Sequence, residues 1–98
     1  MVNRFTTRVE LHHASNVGDY NKLHLEMETE GFSRTITWEN DINTYHLPTA
    51  EYNKFGESLT GMQVLESAKK AATKTGKTFS VLVTKSAERL AFNLPIVK

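Results

Sequence analysis

The chain has 98 residues and a mass of 11.1 kDa, which suits a single domain built around one hydrophobic core. Charged residues make up 23% and the net charge is +1, which excludes a histone-like polycation and an intrinsically disordered chain. The absence of cysteine excludes disulfides, thiolate catalysis and cysteine zinc sites. No apolar run approaches the roughly 20 residues of a membrane helix, and the N-terminus lacks a signal peptide's apolar stretch. We therefore expect a cytoplasmic protein that does not associate with membranes.

A strand and a helix open the predicted fold. Residues 5–11 alternate between apolar and polar side chains, which is typical of a half-buried strand. Ser15 or Asn16 is placed to cap the helix that follows, and Gly31 suits the left-handed backbone found at helix ends. The inward positions of this helix recur at helical spacing and are Val17, Tyr20, Leu23, His24 and Met27.

A β-hairpin is predicted next along the chain. Residues 32–38 and 44–47 both have an alternating pattern, and a turn rich in Asn and Asp separates them at 39–43. We therefore expect these two strands to pair with each other. The least regular segment of the chain follows at residues 48–59.

A second helix, a last strand and an apolar tail complete the predicted fold. Thr60 and Gln63 fit a capping box at the start of a helix over residues 61–75. Residues 79–84 alternate again and predict the last strand. The tail, residues 86–98, is too apolar to remain in water, so we expect it to pack on the domain or on a second subunit.

This element order predicts a ferredoxin-like α+β domain over residues 1–98. Such a βαββαβ domain has a four-stranded antiparallel sheet with both helices on one face. The other face should be polar, and the aromatic side chains fall on the core side, which disfavours binding of RNA by base stacking. The residues expected on that polar face are Thr6, Arg8, Glu10, His12, Thr35, Thr37, Thr44, His46, Ser80, Leu82 and Thr84.

Arginine and histidine side chains are the candidates for chemistry. Arg8 lies in the middle of the first strand and Arg34 near the start of the second, and a guanidinium group can hold a phosphate through two hydrogen bonds. Each arginine can equally well pair with a nearby carboxylate. His12 and His13 follow the first strand and are either turn residues or acid–base groups. Their spacing matches no metal motif, and no nucleotide fingerprint or Ser–His–Asp pattern is present, so we expect no metal and no cofactor.

The charge is unevenly distributed along the chain. Residues 1–60 hold 5 Lys and Arg against 9 Asp and Glu, a balance of −4, whereas residues 61–98 hold 7 against 2, a balance of +5. A basic second helix can contact a nucleic-acid backbone, form an ordinary solvated face, or pair with the acidic first helix of another subunit. The candidate nucleic-acid contacts are Lys69, Lys70, Lys74 and Lys77.

Several short stretches, spread over nearly the whole chain, carry a family resemblance. They are residues 4–11, 19–20, 23–24, 27, 31–34, 45–48, 50–52 and 81–84. In these stretches the chain resembles the small bacterial and phage proteins grouped with GhoS, the endoribonuclease antitoxin of type V toxin–antitoxin systems. The resemblance implies a ferredoxin-like fold similar to that of the CRISPR-associated Cas2 proteins, and cleavage of a toxin messenger RNA. Cas2-type nucleases carry a metal-binding Asp at the end of the first strand, where this chain has Leu11, His12 and His13.

Three functions remain open at this point. If the chain cleaves single-stranded RNA, we expect Arg8 and Arg34 to hold the phosphate and His12 to move protons, with His13 in reserve. The alternative is a non-catalytic regulatory module, a homodimer that binds nucleic acid or a protein partner through the second helix. The third is a structural protein of a phage or mobile element with a protein partner.

Overall fold

The computed structural model describes residues 2–14, 16–38 and 40–98, and it has a small α+β fold with mainly antiparallel strands. Ser15, one of the two predicted cap residues, and Glu39, in the predicted turn, lie outside the described residues. The elements in chain order are β1 (Val2–Leu11), α1 (Val17–Thr29), β2 (Thr35–Ile36), β3 (Tyr45–His46), β4 (Glu51–Glu57), α2 (Gly61–Thr73) and β5 (Phe79–Lys85).

Strand β1 lies at the centre of the main sheet. It pairs antiparallel with β4 on one side and with β5 on the other, which gives the order β4-β1-β5. Strands β2 and β3 form a separate two-stranded sheet, and a bridge between Ser33 and Asn53 joins the segment before β2 to β4. The hairpin therefore lies beside the main sheet, next to β4.

The prediction of a single four-stranded sheet was wrong in its third strand. The strand that pairs with β1 is β4, which lies within the segment that looked least regular, whereas residues 44–47 contribute only β3. Strand β4 has a weak hydrophobic period because its core-side positions are Tyr52, Lys54 and Gly56. The Lys54 ammonium group lies 4.9 Å from the centre of the Phe32 ring, so a charged side chain covers apolar surface there.

The predicted starts of both helices and the predicted end of α1 are confirmed, whereas α2 ends at Thr73, two residues earlier than predicted. The Asn16 side chain accepts a hydrogen bond from the Asp19 backbone N–H at 3.2 Å, and Gly31 has a φ of 89° just after α1. At the start of α2, the Thr60 hydroxyl accepts from the Gln63 N–H at 3.2 Å, and the Gln63 side chain accepts from the Thr60 N–H at 3.0 Å. These bonds satisfy backbone donors that a helix leaves free in its first turn.

Both helices contribute to one core on the same face of the main sheet. Side chains of β1, β4, α1 and α2 pack together there, and partly buried side chains of β5 join them. Neither helix is long and apolar enough to cross a membrane, within the described part of the chain. The buried apolar residues of this core are Phe5, Val9, Leu11, Leu23, Met27, Phe32, Tyr52, Val64, Ala68, Ala71 and Ala72.

The tail, residues 86–98, lies against the hairpin and the outer side of the sheet. A bridge joins Ile96 to Tyr45, and the His46 N–H donates to the Pro95 carbonyl at 2.8 Å. The tail thereby extends the small sheet by backbone hydrogen bonds. Four of its large apolar side chains nevertheless remain exposed, namely Leu90, Phe92, Ile96 and Val97.

Candidate active site on the open face of the sheet

The open face is the side of the main sheet that points away from the helices. Because side chains alternate along a strand, the even-numbered residues of β1 point to this face. The antiparallel register places Ser80 of β5 directly opposite Glu10 and Leu82 opposite Arg8. We call Arg8, Glu10, His12 and Ser80 the open-face cluster.

His12 is the hydrogen-bonding centre of the open-face cluster. Its Nε2 atom lies 2.9 Å from the Ser80 hydroxyl and 3.9 Å from a carboxylate oxygen of Glu10. The His12 backbone N–H donates to the Thr78 carbonyl at 2.8 Å, which fixes the end of β1. Both side-chain contacts meet the same ring nitrogen, so Glu10 does not orient the imidazole through Nδ1 as the acid of a nucleophilic triad does. The arrangement suits proton transfer better than attack by Ser80.

Arg8 presents its guanidinium group to solvent. Its side chain is 61% exposed, and the nearest carboxylate oxygen, of Glu51, lies 4.0 Å from Nη1, at the limit of an ion pair. Arg8 also lines a shallow hollow together with Glu10, Ser80 and Leu82. The alternative that Arg8 pairs with a nearby carboxylate is therefore met by Glu51, although the arginine side chain stays mostly exposed beside it.

Arg34 lies away from the open-face cluster. It lines a different hollow, next to the end of α1, with Glu28, Gly31 and His46. The structure therefore brings Arg8 and His12 onto one face and does not bring Arg34 to them. Arg34 is instead close enough to the buried His24 side chain that its positive charge contributes to lowering the pKa of His24.

His24 and Tyr52 form a buried pair in the core. The His24 Nδ1 and Tyr52 hydroxyl atoms are 2.6 Å apart, and both side chains are almost fully shielded from solvent. Burial, together with the Arg34 charge, lowers the pKa of His24, and burial raises the pKa of Tyr52. Because no substrate can reach this pair without unfolding the core, we assign it a structural role.

The four candidate lysines, in α2 and just after it, form ion pairs with carboxylates of the same chain. Lys70 pairs with Glu30 at 3.6 Å and Lys74 pairs with Glu26 at 3.6 Å, and both carboxylates are mostly buried. The other two candidate lysines also have partners, as Lys69 lies 3.5 Å from Glu66 and Lys77 lies 3.8 Å from Asp19. The basic second half of the chain thus faces the acidic α1 of its own domain, an alternative to the pairing between subunits considered above.

His13, the reserve candidate, does not join the open-face cluster. Its carbonyl accepts a hydrogen bond from the Lys77 ammonium group at 3.3 Å, and its backbone adopts a φ of 60° in the turn after β1. No group of three or more His, Asp or Glu side chains is placed to hold a metal ion in residues 2–14, 16–38 and 40–98.

Sequence reasoning placed Ser80 on the polar face without recognising it as a partner of His12. The alternation of the two strands places both residues on one face, but the register that brings Ser80 opposite Glu10 is visible only in the structure. Comparison with protein-family models, with curated proteins and with solved structures finds no match for this chain.

Proposed function

We propose that this chain is a GhoS-like endoribonuclease antitoxin that cleaves single-stranded messenger RNA at the open-face cluster. The observation that carries the proposal is the placement of a guanidinium, a carboxylate, an imidazole and a hydroxyl group on one exposed sheet face. The hydrogen bond between His12 Nε2 and Ser80, with Glu10 next to it, holds the imidazole among these groups.

The cluster contains the groups that cleavage of RNA by internal transesterification requires. The ribose 2′ oxygen attacks the phosphorus, the bond to the 5′ oxygen breaks, and the products are a 2′,3′-cyclic phosphate and a 5′ hydroxyl. In this scheme Glu10 accepts the proton of the 2′ hydroxyl, and protonated His12 donates a proton to the departing 5′ oxygen. Arg8 stabilises the negative charge that grows on the phosphate oxygens in the transition state.

The sheet arrangement supports the ferredoxin-like fold that the family resemblance implies. Strand β1 lies between β4 and β5 with all neighbours antiparallel, and the bridge from Ser33 to Asn53 places the β2 segment beside β4. With that segment as a fourth strand, the order becomes that of a split β-α-β domain with both helices on one face. We include this finer fold assignment in the proposal.

The proposal is tested by incubating purified protein with single-stranded RNA, with and without EDTA. We expect cleavage in both conditions and cyclic phosphate ends on the products. The His12→Ala variant should lose cleavage by about 10²- to 10⁴-fold, because it lacks the general acid. His13→Ala is the matched control and should cleave at the normal rate, as should Arg34→Ala. Intact RNA at protein excess, alongside an active control nuclease, would contradict the proposal, as would full activity of His12→Ala.

A second candidate function is a non-catalytic dimer that binds nucleic acid or a protein partner. It is favoured by large apolar side chains exposed on and around the open face: Phe55 is 63%, Leu82 is 65% and Phe92 is 93% exposed. Apolar groups clustered on a surface often mark an interface. Sedimentation analysis distinguishes the two candidates when combined with the cleavage assay, because a dimer that binds RNA without cutting it would support the second.

A further inference from the structure

A second hollow borders the open face, at the N-terminal end of β1. It has a volume of about 330 Å³ and lies between β1, the segment after β2 and the start of the tail. Two guanidinium groups, an indole ring and two hydroxyl groups line it, together with the side chain of Glu88. The residues that supply the first five groups are Arg4, Arg89, Trp38, Thr37 and Ser86.

The wall formed by Trp38 and Arg89 is held in place by hydrogen bonds. The indole Nε1–H of Trp38 donates to the Arg89 carbonyl at 2.6 Å. The Tyr45 ring packs edge-to-face against the indole, with 5.7 Å between the ring centres and 76° between the ring planes. The Ser86 N–H donates to the Arg4 carbonyl at 2.8 Å, which anchors the tail to β1. The indole therefore borders the hollow in a fixed orientation.

The two guanidinium groups of this hollow have no carboxylate partner among residues 2–14, 16–38 and 40–98. Arg89 donates to the neutral side-chain oxygen of Asn53 at 2.6 Å, and neither Arg4 nor Arg89 forms an ion pair with any described residue. Burial and the nearby positive charge of Arg4 lower the pKa of Arg89. Glu88 borders the same hollow but pairs with neither arginine. Two guanidinium groups beside one carboxylate leave the hollow with a net positive charge, which favours the binding of an anion.

We propose that this hollow is a second RNA subsite, which takes a phosphate between Arg4 and Arg89 and a base against Trp38. This inference rests on the proposed function, since the same RNA strand would run along β1 to Arg8. Arg4 and Arg8 point to the same face and are four residues apart, which is about 14 Å on an extended strand. A nucleotide bound here fixes the position of the RNA without touching the phosphate that is cleaved. Arg4, Arg89 and Trp38 are therefore positioning residues.

The fluorescence of Trp38 provides a direct test, because it is the chain's single tryptophan. The His12→Ala variant is titrated with a single-stranded RNA decamer, so that the RNA stays intact. We expect saturable quenching of the tryptophan, because stacking of a base on an indole changes its environment. Adding Arg4→Ala should weaken binding by about 10-fold, since a charge-assisted contact to phosphate is lost. Inorganic pyrophosphate, tested alone, should bind far more weakly than RNA because it has no base.

The matched control for Arg4→Ala is Lys22→Ala. Lys22 is an exposed residue of α1, and its substitution removes the same charge far from the hollow. We expect its affinity for RNA to equal that of the parent protein. Equal affinities of the Arg4→Ala and Lys22→Ala proteins would overturn the subsite, and so would RNA binding without any change in tryptophan fluorescence. Thermal unfolding of each variant checks that it folds.

Steady-state cleavage separates failure of the subsite from failure of the proposed function. In the cleaving protein, Arg4→Ala should raise KM with little effect on kcat, because a positioning contact is lost in ground state and transition state alike. Cleavage with an unchanged KM in Arg4→Ala would overturn the subsite and leave the nuclease intact. Quenching and binding that depend on Arg4, without any cleavage by the unmodified chain, would support the subsite and overturn the nuclease.

Discussion

The two faces of the β4-β1-β5 sheet differ in what the same strand contributes to each. On the helix-covered face, Phe5, Thr7 and Val9 of β1 are fully buried. On the open face, Arg4 and Arg8 of the same strand are exposed, and no helix covers them. The odd-numbered residues of β1 therefore stabilise the core, and its even-numbered residues belong to the candidate site. Substitutions one residue apart should have effects of different kinds.

The two faces also differ in how their charges are compensated. On the helix side, lysines at the end of α2 pair with carboxylates at the end of α1, as Lys70 does with Glu30 and Lys74 with Glu26. On the open side, Arg4 and Arg89 have no ion-pair partner among the described residues, and Arg8 has only a distant one. Behind the net charge of +1 there are therefore guanidinium groups, on β1 and in the tail, that no described carboxylate approaches closer than 4.0 Å.

Two phenylalanines on neighbouring strands give the largest expected contrast between the faces. Phe5→Ala should lower the free energy of unfolding by about 3–5 kcal/mol, because it leaves a cavity in the core. Phe55→Ala should change it by only about 0.5 kcal/mol, because that side chain is largely exposed on the other face. Urea unfolding of both variants measures the difference. Equal losses would show that the open face is packed against something in solution.

Acidification should lower the free energy of unfolding through His24, which is buried on the helix-covered face. The pKa of His24 is lowered in the folded state from 6.5, so the unfolded chain binds this proton more readily. The free energy of unfolding should therefore fall as the pH drops below about 6.5, until the folded protein is also protonated. His24→Gln should flatten this dependence, whereas His13→Asn, the exposed control, should keep it. Urea unfolding at pH 7 and at pH 5 measures the effect, and an unchanged slope in His24→Gln would contradict it.

A substitution at Thr7 should stabilise the protein. The Thr7 hydroxyl is buried in the core without a hydrogen-bond partner among the described residues. Thr7→Val removes the unsatisfied group at nearly constant shape and should raise the free energy of unfolding by about 1 kcal/mol. Thr6→Val, on the open face, is the control and should change it by less than about 0.5 kcal/mol. Calorimetry gives the readout. A lower melting temperature for Thr7→Val would indicate that the hydroxyl has a partner in solution.

Substitutions that break an ion pair between the ends of α1 and α2 should change the free energy of unfolding least. Lys74→Gln should cost about 0.2–1 kcal/mol, because the pair with Glu26 is partly exposed and screened by salt. A double-mutant cycle with Glu26→Gln isolates the contribution of the pair. A coupling energy near zero at low salt would contradict the view that this charge is used within the chain.

Local patterns predicted much of the helix-covered face. The alternation of residues 5–11 predicted β1, and the capping residues Asn16 and Thr60 located both helix starts. These features depend on neighbours in sequence, so the sequence alone contains their physical cause. Strand β4 was not predicted, because Lys54 occupies a core-side position. A search for alternating apolar residues counts a lysine as polar even when its side chain covers an aromatic ring.

The candidate sites could be predicted only in part. Arg8 and His12 share a face by strand alternation, so their placement followed from the sequence. The contact of Trp38 with Arg89 joins residues 51 positions apart, and it depends on how the tail crosses the hairpin. No local pattern contains that information. The same holds for Lys70 and Lys74, whose carboxylate partners lie at the end of α1.

If RNA binds the open face of the sheet and not the basic face of α2, as we propose, its affinity should depend on Arg8 and not on Lys70. The most direct test compares the RNA affinity of Arg8→Gln with that of Lys70→Gln across a series of salt concentrations. Both substitutions remove one positive charge from an exposed side chain. We predict that Arg8→Gln weakens binding about 10-fold and lowers the salt slope by about 0.7, whereas Lys70→Gln leaves both unchanged. The reverse result, with binding lost only in Lys70→Gln, would contradict the account.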